Sequence, residues 1–260
     1  MDASKAQSWS ELLKMFASIV SLAIALTQIT QAAAHGGVLG YKIANTYYNG
    51  FLAYNTPVGQ SSIQREWDSY NPITNPVDPS LSCNINGAVL AQQKSATVPA
   101  GSSVTAYWNQ WPHTIGPVMV YMAKCPSTCS SATTSALEWF KIDQAGLISG
   151  ALDGGLWGMG ELVANNNSWT STIPASLAPG EYFIRHELLA IHTPDQPQFY
   201  PECAQLILTG NGNASPSGSF LVKFPGAYSA SDPSVTIDIY TSANQVATSY
   251  IIPGPAVWQG

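Results

Sequence analysis

Residues 181–191 read EYFIRHELLAI, and residues 203–209 read CAQLILT. The first is the longest strand-like run of the chain, and the second alternates its side chains with the period of a strand. Similar runs lie between Gly, Pro and Asn turn signals at 103–108 (SVTAYW), 117–123 (PVMVYMA) and 235–240 (VTIDIY). Short strands separated by such turns are typical of an antiparallel sandwich or barrel. The sequence therefore predicts an all-β fold.

The chain reads as one domain over residues 35–260. This range contains no repeat and no Ser/Thr-rich linker, and we expect no appended binding module. The stretches 44–80 and 143–175 are predicted to be long loops, which on a compact sheet are commonly functional. Tyr47 and Trp67 in the first loop fit either a ligand platform or local packing.

The composition excludes two classes of protein. Only 9% of the 260 residues are charged and 45% are hydrophobic, whereas disordered chains combine high charge with few apolar groups. The net charge is −6, the pI is about 5.0, and no Lys/Arg cluster occurs. A nucleic-acid-binding protein needs a basic patch. We therefore expect no nucleic-acid partner, and the surface suits a neutral polymer. We also expect a monomer without a membrane partner.

Residues 1–34 have the pattern of a secretory signal peptide. Residues 15–27 form one apolar run without charge, which is shorter than the roughly 20 residues of a transmembrane helix. Lys5 and Lys14 precede the run, and three alanines ending at Ala34 follow it, as at a cleavage site. The alternative, a buried N-terminal helix, has no cap or amphipathic period. Cleavage after Ala34 would give a secreted chain that begins at His35.

An N-terminus at His35 would be chemically distinctive. A free α-amine has a pKa of about 7.7 and an imidazole a pKa of about 6.5, so both are nitrogen donors once deprotonated. On one residue, the amine and Nδ1 can chelate a metal ion. A chain that retains residues 1–34 has an amide at this position, so the full-length chain is predicted to show an incomplete site.

The other histidines supply candidate partners for His35. His113 lies in WPHTIGPVMV, and His192 follows the 181–191 run. Each alone would be interpreted as a surface or loop-anchoring residue, and His186, in mid-strand, is assigned to structure. Two imidazoles and an amine suit Cu(II). Zinc is the alternative, because three nitrogens plus water also form a catalytic zinc site.

The QFY motif at 198–200 adds two polar groups. In an extended strand, Gln198 and Tyr200 lie on one side and Phe199 on the other. Tyr200 would fit as a distant axial group of a metal, and a core tyrosine is the alternative interpretation.

Cysteines and glycosylation signals agree with export. The four cysteines are Cys83, Cys125, Cys129 and Cys203. Four cysteines allow three pairings, among which we favour a local Cys125–Cys129 disulfide that leaves Cys83 for Cys203. A metal site is the alternative, although C-x₃-C is not a usual zinc spacing. Asn166 and Asn213 begin N-x-S glycosylation signals.

Several motifs together resemble one family. They are three alanines followed by His35-Gly36, WPHTIGPVMVYMAKCPSTC (111–129), RHELLAIH (185–192), QFYPECAQL (198–206), FPGAYSASDP (224–233) and YIIPGPAVW (250–258). In this order they resemble the fungal lytic polysaccharide monooxygenases of auxiliary activity family nine, formerly glycoside hydrolase family sixty-one. The resemblance covers all of residues 35–260. It implies an immunoglobulin-like β-sandwich that holds one copper ion on a flat face.

The resemblance implies a role for each candidate residue of the metal site. His35 would bind copper through its amine and ring, His113 would be the second ligand, and Tyr200 the axial group. Gln198 and His192 would form hydrogen bonds to oxygen species near the copper.

Two further assignments rest on the same resemblance. Tyr228, in the FPGAY motif, would be a surface aromatic residue that stacks on a glucose ring. The family's disulfide positions correspond to Cys83–Cys203 and Cys125–Cys129.

The implied reaction is oxidative cleavage of cellulose or a related β-1,4-glucan at C1 or C4, with an external electron donor and O₂ or H₂O₂. One alternative is a hydrolase with paired carboxylates, for which Glu187 and Glu202 are available. Glu187 beside Arg185 is, however, better interpreted as an ion-pair partner. The other alternative is a noncatalytic copper-binding protein, against which Gln198 and Tyr200 argue.

Overall fold

A computed structural model describes residues 35–260. Its strands are β1 (Val38–Ile43), β2 (Thr46–Asn49), β3 (Ala96–Pro99), β4 (Ser103–Trp108), β5 (Val118–Lys124), β6 (Trp139–Ala145), β7 (Leu147–Ser149), β8 (Leu156–Trp157), β9 (Ser168–Thr172), β10 (Gly180–Ala190) and β11 (Gln198–Thr209). One α-helix, α1 (Gly158–Ala164), occurs in this part of the chain, with short 3₁₀ turns at Pro79–Leu81, Cys129–Ser131, Thr134–Ala136, Gly218–Phe220 and Asn244–Val246. The proposed signal peptide, residues 1–34, lies outside the described residues.

The strands form two main sheets that pack as a sandwich. One sheet has the order β2-β1-β4-β9 and the other β3-β11-β10-β5-β6, while β7 and β8 form a separate hairpin. All neighbours are antiparallel except β3, which runs parallel to β11. The core between the sheets includes Val38, Val104, Val120, Ile184 and Leu206. The predicted all-β, immunoglobulin-like sandwich is therefore confirmed. Within residues 35–260, no helix is both long and apolar enough to cross a membrane.

The central strand β10 is covered on both faces. Ile184 and Leu188 belong to the core between the sheets, whereas Phe183 and Leu189 belong to a second apolar cluster on the outer face. Loops and the C-terminal segment supply the rest of this outer cluster, including Ile73, Leu81, Phe224 and Val235. A strand buried on both faces needs apolar residues at successive positions. This requirement explains the apolar runs 182–184 and 188–191, between which lie the buried polar residues 185–187.

Three sequence predictions of local structure are wrong, the first only in part: the 44–80 stretch, predicted as a loop, contains β2. The 235–240 segment alternates like a strand but forms turns, because the backbone N–H groups of Val235 and Thr236 both donate to the carbonyl oxygen of Asp232, at 3.0 and 2.9 Å. The 143–175 segment, predicted as a loop, contains β7, β8, α1 and β9. These elements are each two to seven residues long, too short to produce a clear periodic pattern.

Both predicted disulfides are present. Cys83–Cys203 ties the loop before β3 to β11, and Cys125–Cys129 closes a short loop after β5. The first joins residues 120 positions apart, so it restricts the unfolded chain far more than the second.

His186 is a buried structural residue of β10. Its ring is fully buried and lies 5.7 Å from the Tyr41 ring and 6.0 Å from the Trp108 ring, between centroids. Neither ring nitrogen has a hydrogen-bond partner. Burial lowers the pKa of His186 to about 3, so the imidazole is neutral in the folded protein.

The placement of Tyr228 corrects the sequence interpretation. The resemblance implied a surface residue, but Tyr228 is only 3% exposed and stacks on Phe199 with centroids 5.5 Å apart. Its hydroxyl donates to Oε2 of Glu187 at 2.6 Å. The ring is buried because it completes the apolar cluster on the outer face of β10 and β11, so Tyr228 is unavailable to a sugar.

Glu187 also forms the predicted ion pair with Arg185. The guanidinium Nη1 and Nη2 atoms donate to the two carboxylate oxygens at 2.8 Å each, and both side chains are fully buried. Arg185 donates further to the carbonyl oxygens of Leu81 and Ser82. The pair thereby fixes the loop that precedes Cys83.

The Glu187→Gln substitution is expected to lower the free energy of unfolding by about 3–5 kcal/mol, because it leaves a buried guanidinium without its counter-charge. Denaturant unfolding with intact disulfides measures the change. The matched control is Glu138→Gln at an exposed carboxylate, where we expect a change within about 0.5 kcal/mol. Equal effects of the two substitutions would contradict the assigned role of the buried pair.

Candidate metal centre

The candidate residues meet at one end of the sandwich. In the sheet register, Val118 at the start of β5 lies opposite Leu188, and Gln198 at the start of β11 lies opposite Ala190. The start of β5, the end of β10 and the start of β11 therefore share one edge. His113 precedes β5 and His192 follows β10, so the sheet brings the two histidines together although they are far apart in sequence.

The ring distances define a compact cluster. The His35 ring lies 5.8 Å from the His113 ring and 6.0 Å from the Tyr200 ring, between centroids. The His192 ring stacks on the His113 ring at 4.2 Å with an interplanar angle of 18°. The Tyr200 hydroxyl donates to Oε1 of Gln198 at 2.8 Å. All five predicted site residues are thus gathered in one place.

Tyr200 is a buried member of the cluster and packs against Trp111. It is 2% exposed, and the Trp111 ring meets it edge-on at 4.8 Å between centroids. Burial raises the pKa of Tyr200, so its hydroxyl stays protonated and neutral. The hydrogen bond to Gln198 confirms that the two side chains lie on one side of β11, while Phe199 packs in the outer cluster.

Burial also keeps two of the histidines neutral. It lowers the pKa of His35, and it lowers the pKa of His192, which the charge of His35 lowers further. A neutral imidazole has a free lone pair, which is the form that binds a metal ion or accepts a hydrogen bond.

The main chain that carries His35 is anchored by Asn109, which sequence reasoning missed, and by Glu202, which it considered only as a hydrolytic carboxylate. Asn109 accepts a hydrogen bond from the Gly37 N–H at 2.9 Å, and its amide donates to the His35 carbonyl oxygen at 3.5 Å. Glu202 accepts from the Val38 N–H at 2.6 Å. The main chain is therefore anchored at His35, Gly37 and Val38, where β1 begins.

The two glycines after His35 are required by this anchoring. A Cβ atom at Gly36 would lie 1.9 Å from Oδ1 of Asn109, and one at Gly37 would lie 2.1 Å from Oε1 of Glu202. The His-Gly-Gly sequence was a signal for close backbone approach, although it could not reveal the partners.

Glu202 and Glu187 are unsuited to the alternative hydrolytic role. Glu202 is 1% exposed, its pKa is raised by burial, and one oxygen already accepts from Val38 and Gln64. Glu187 is bound by Arg185 and Tyr228. Neither carboxylate is accessible to a substrate, so paired-carboxylate catalysis by these residues is excluded.

The donor set fits a metal ion. A metal–nitrogen bond is about 2.0 Å long, so imidazole rings with centroids 5.8 Å apart can both reach one ion between them. Within residues 35–260, no group of three or more His, Cys, Asp or Glu side chains is placed to hold a metal. The third nitrogen of the predicted set is the α-nitrogen of His35, which in the full-length chain is an amide.

An exposed aromatic residue adjoins the cluster. Tyr240 is 40% exposed, and its hydroxyl donates to the carbonyl oxygen of His192 at 3.0 Å. The sequence pattern predicted this residue at the end of a strand, and no motif marked it as functional. Trp67, considered there as a possible platform, is 1% exposed and packs against Tyr70.

The two glycosylation signals lie on the surface. Asn166 and Asn213 are both exposed, so a glycan at either position would meet no steric barrier from the fold. Their modification stays a prediction.

The sequence matches one protein family. Residues 35–250 match the model of Auxiliary Activity family 9, formerly GH61. A protein named AA9 family lytic polysaccharide monooxygenase B, from Heterobasidion irregulare, is 71% identical over 231 residues, which cover 88% of this chain and 94% of that protein. AA9 family lytic polysaccharide monooxygenase D from Thermothelomyces thermophilus is 43% identical over 236 residues, which cover 88% and 90%.

Solved structures show the same similarity. The crystal structure of HiLPMO9B has a TM-score of 0.85 and 72% identity, covering 87% of this chain and 100% of that one. A cellulose-active polysaccharide monooxygenase from M. thermophila has a TM-score of 0.81 and 42% identity, covering 87% and 100%.

The Gly36→Ala substitution, in protein that begins at His35, is expected to weaken Cu(II) binding by at least about tenfold. The added methyl group would displace Asn109 and release the main chain of His35, and loss of such supporting contacts typically costs 10–100-fold in metal affinity. Competition titration against a chelator measures the affinity.

Gly160→Ala is the matched control, because a Cβ atom there would meet its nearest neighbours at 3.5 Å, an ordinary contact. An unchanged affinity of the Gly36 variant would show that Asn109 does not position His35.

Proposed function

The chain belongs to Auxiliary Activity family 9, and on that basis we propose that it is a copper-dependent lytic polysaccharide monooxygenase that cleaves β-1,4-glucan chains of cellulose at C1, C4 or both. The observation that carries this proposal is the convergence of His35, His113 and Tyr200, with Gln198 bonded to Tyr200, at one end of the sandwich. The named relatives support the same class of reaction.

One copper ion would be held by the His35 amine and ring and by the His113 ring, with the Tyr200 side chain beside it. Bound there, copper supplies the one-electron chemistry that activates the oxidant. Nitrogen donors favour copper among the divalent ions. Zinc would satisfy the same donors but has no redox chemistry, so it does not fit a monooxygenase.

The protein's own residues would orient the oxidant and handle its protons. The Tyr200 hydroxyl occupies Oε1 of Gln198, which leaves the Gln198 amide N–H groups to donate toward the metal site. His192 lies against His113 with a depressed pKa, so its ring would accept and return a proton near the reacting oxygen. These two residues would therefore position oxygen rather than bind the metal.

The net reaction inserts one oxygen atom at C1 or C4 of a glucose unit. With O₂, two external electrons and two protons reduce the other oxygen atom to water; with H₂O₂, the other oxygen atom leaves as water and the net reaction consumes no external electrons. The hydroxylated carbon then expels its neighbour, which breaks the glycosidic bond. An external reductant and either oxidant are the required partners.

Tyr240 would contact the polysaccharide in place of the buried Tyr228. Its ring is exposed beside His192, and an aromatic face suits the apolar face of a glucose ring. A neutral polymer also matches a surface with few charges.

We also propose that the protein is secreted after removal of residues 1–34. Removal of residues 1–34 would convert the amide nitrogen of His35 into the amine that the metal site needs. The disulfides suit an oxidising compartment. Residues 35–260 would then act as a single secreted domain.

The decisive experiment is mass spectrometry of the products from cellulose, with copper-loaded protein that begins at His35, a reductant and oxygen. We expect aldonic-acid or 4-keto oligosaccharides, with the mass also assigning the oxidised carbon. The His35→Ala variant controls for stray copper and should form none.

Unoxidised oligosaccharides that persist with a chelator would indicate a hydrolase. Tight copper binding without products from a polysaccharide panel would favour the noncatalytic alternative.

The Tyr240→Ala substitution is expected to weaken binding to cellulose by several-fold while Cu(II) affinity stays unchanged, because loss of a stacking ring typically costs about 0.5–1.5 kcal/mol. A pull-down isotherm on cellulose measures binding. Tyr54→Ala, which removes another exposed ring, gives the comparison, and equal losses would argue against a specific role of Tyr240.

A further inference from the structure

A cavity of about 380 Å³ lies at the opposite end of the sandwich from the metal centre. Its walls include Lys124 at the end of β5 and Tyr182 near the start of β10, which face each other in the sheet register. Leu188, at the metal end of β10, is six residues beyond Tyr182, or about 20 Å along a strand. The cavity is therefore separate from the metal centre.

Most of the cavity lining is apolar. The lining residues of this kind are Pro126, Ala136, Leu137, Phe140, Tyr182, Pro216 and Leu221. The charged residues are Lys124, Lys223 and Glu138, and Ser215 adds a hydroxyl. Cavities of 300–1,000 Å³ with apolar walls and a few polar groups are typical of small-molecule sites.

Exposed cationic side chains are few in residues 35–260, and two of them, Lys124 and Lys223, line the cavity. Residues 35–260 contain seven lysines and arginines, of which Arg65, Lys141 and Arg185 are buried. Only four cations of this range are exposed: Lys42, Lys94, Lys124 and Lys223. Half of them therefore line one cavity. The ion pair found in residues 35–260 joins Arg185 to Glu187, so neither cavity lysine is within 4.0 Å of a carboxylate.

The cavity is held in shape by its frame. The Tyr182 hydroxyl donates to the Ala178 carbonyl oxygen at 2.8 Å, and Lys124 Nζ lies 5.9 Å from the centroid of the Tyr182 ring. Trp139 and Val222 exchange two backbone hydrogen bonds of 2.7 and 2.9 Å. These bonds fix the segment that carries Lys223 against β6. The Cys125–Cys129 disulfide closes the loop on the other side.

From this arrangement we propose that the cavity is a binding site for a small aromatic monocarboxylate. The charges of Lys124, Lys223 and Glu138 sum to +1, which matches one carboxylate better than two. The exposed side chains of Pro126 and Ala136 and the half-buried side chains of Pro216 and Leu221 offer apolar surface to a flat apolar body such as an aromatic ring. A sugar acid would bring hydroxyl groups that these walls cannot satisfy, and a neutral ring would leave the lysines unused.

The test is calorimetric titration of the copper-loaded protein with cinnamate, which carries one ring and one carboxylate and has no phenol to reduce copper. We expect one site with a Kd of about 1 mM or tighter. Cinnamamide, which lacks the charge, and gluconate, which lacks the ring, should each bind at least about tenfold more weakly.

Variants locate the site. Lys124→Met and Lys223→Met should each weaken cinnamate binding several-fold, and the double variant at least about tenfold. Lys94→Met, at an exposed lysine outside the cavity, should have no effect. Because the lysines are exposed, we expect all variants to keep the thermal unfolding midpoint of the parent protein, which checks folding directly.

Any one of four results would overturn the proposal. The first three are equal binding of cinnamate and either analogue, unchanged binding by the double variant, and a change in the copper EPR spectrum on cinnamate binding, which would place the ligand at the metal centre. The fourth is absence of measurable cinnamate binding.

Discussion

The antiparallel pairing of β10 with β11 is the constraint on which the rest of the structure depends. The register runs without a break from Gly180 opposite Leu208 to Ala190 opposite Gln198. At one end it sets His192 beside the QFY motif, and at the other it builds a wall of the distant cavity. A shift by one residue would turn every side chain of either strand to the opposite face. The register therefore decides which residues can meet.

The position of His35 in the metal centre also depends on the buried carboxyl group of Glu202. Burying a polar group is costly unless it is hydrogen-bonded, and Glu202 offsets this cost by accepting from both Val38 and Gln64. The carboxyl group thereby joins β11 to the segment that carries His35. Asn109 holds the same segment from β4's end. His35 is thus positioned by the fold itself, and its ring is in place even while its nitrogen is still an amide.

Several features that depend on local sequence pattern, namely strand positions and side-chain parity, were predicted correctly. Strand 103–108 was located to the residue, the 181–191 run to within one residue, and the QFY parity placed Gln198 and Tyr200 together. The other site residues were found through motifs of the family. Tyr228 was misplaced because whether a ring is buried depends on segments far away in the chain. Asn109 and the cavity lysines were missed for the same reason, since no local spacing identifies their partners.

The neutral His186 in the core has a consequence for the environment in which the protein can persist. Its folded-state pKa of about 3 lies below the ordinary 6.5 of an unfolded chain. As the pH falls below 6.5, the unfolded chain binds a proton at this histidine, whereas the folded protein does not. The free energy of unfolding therefore decreases until about pH 3. In an acidic medium, this buried histidine would therefore raise the fraction of unfolded chain, and with it the exposure of the protein to proteolysis.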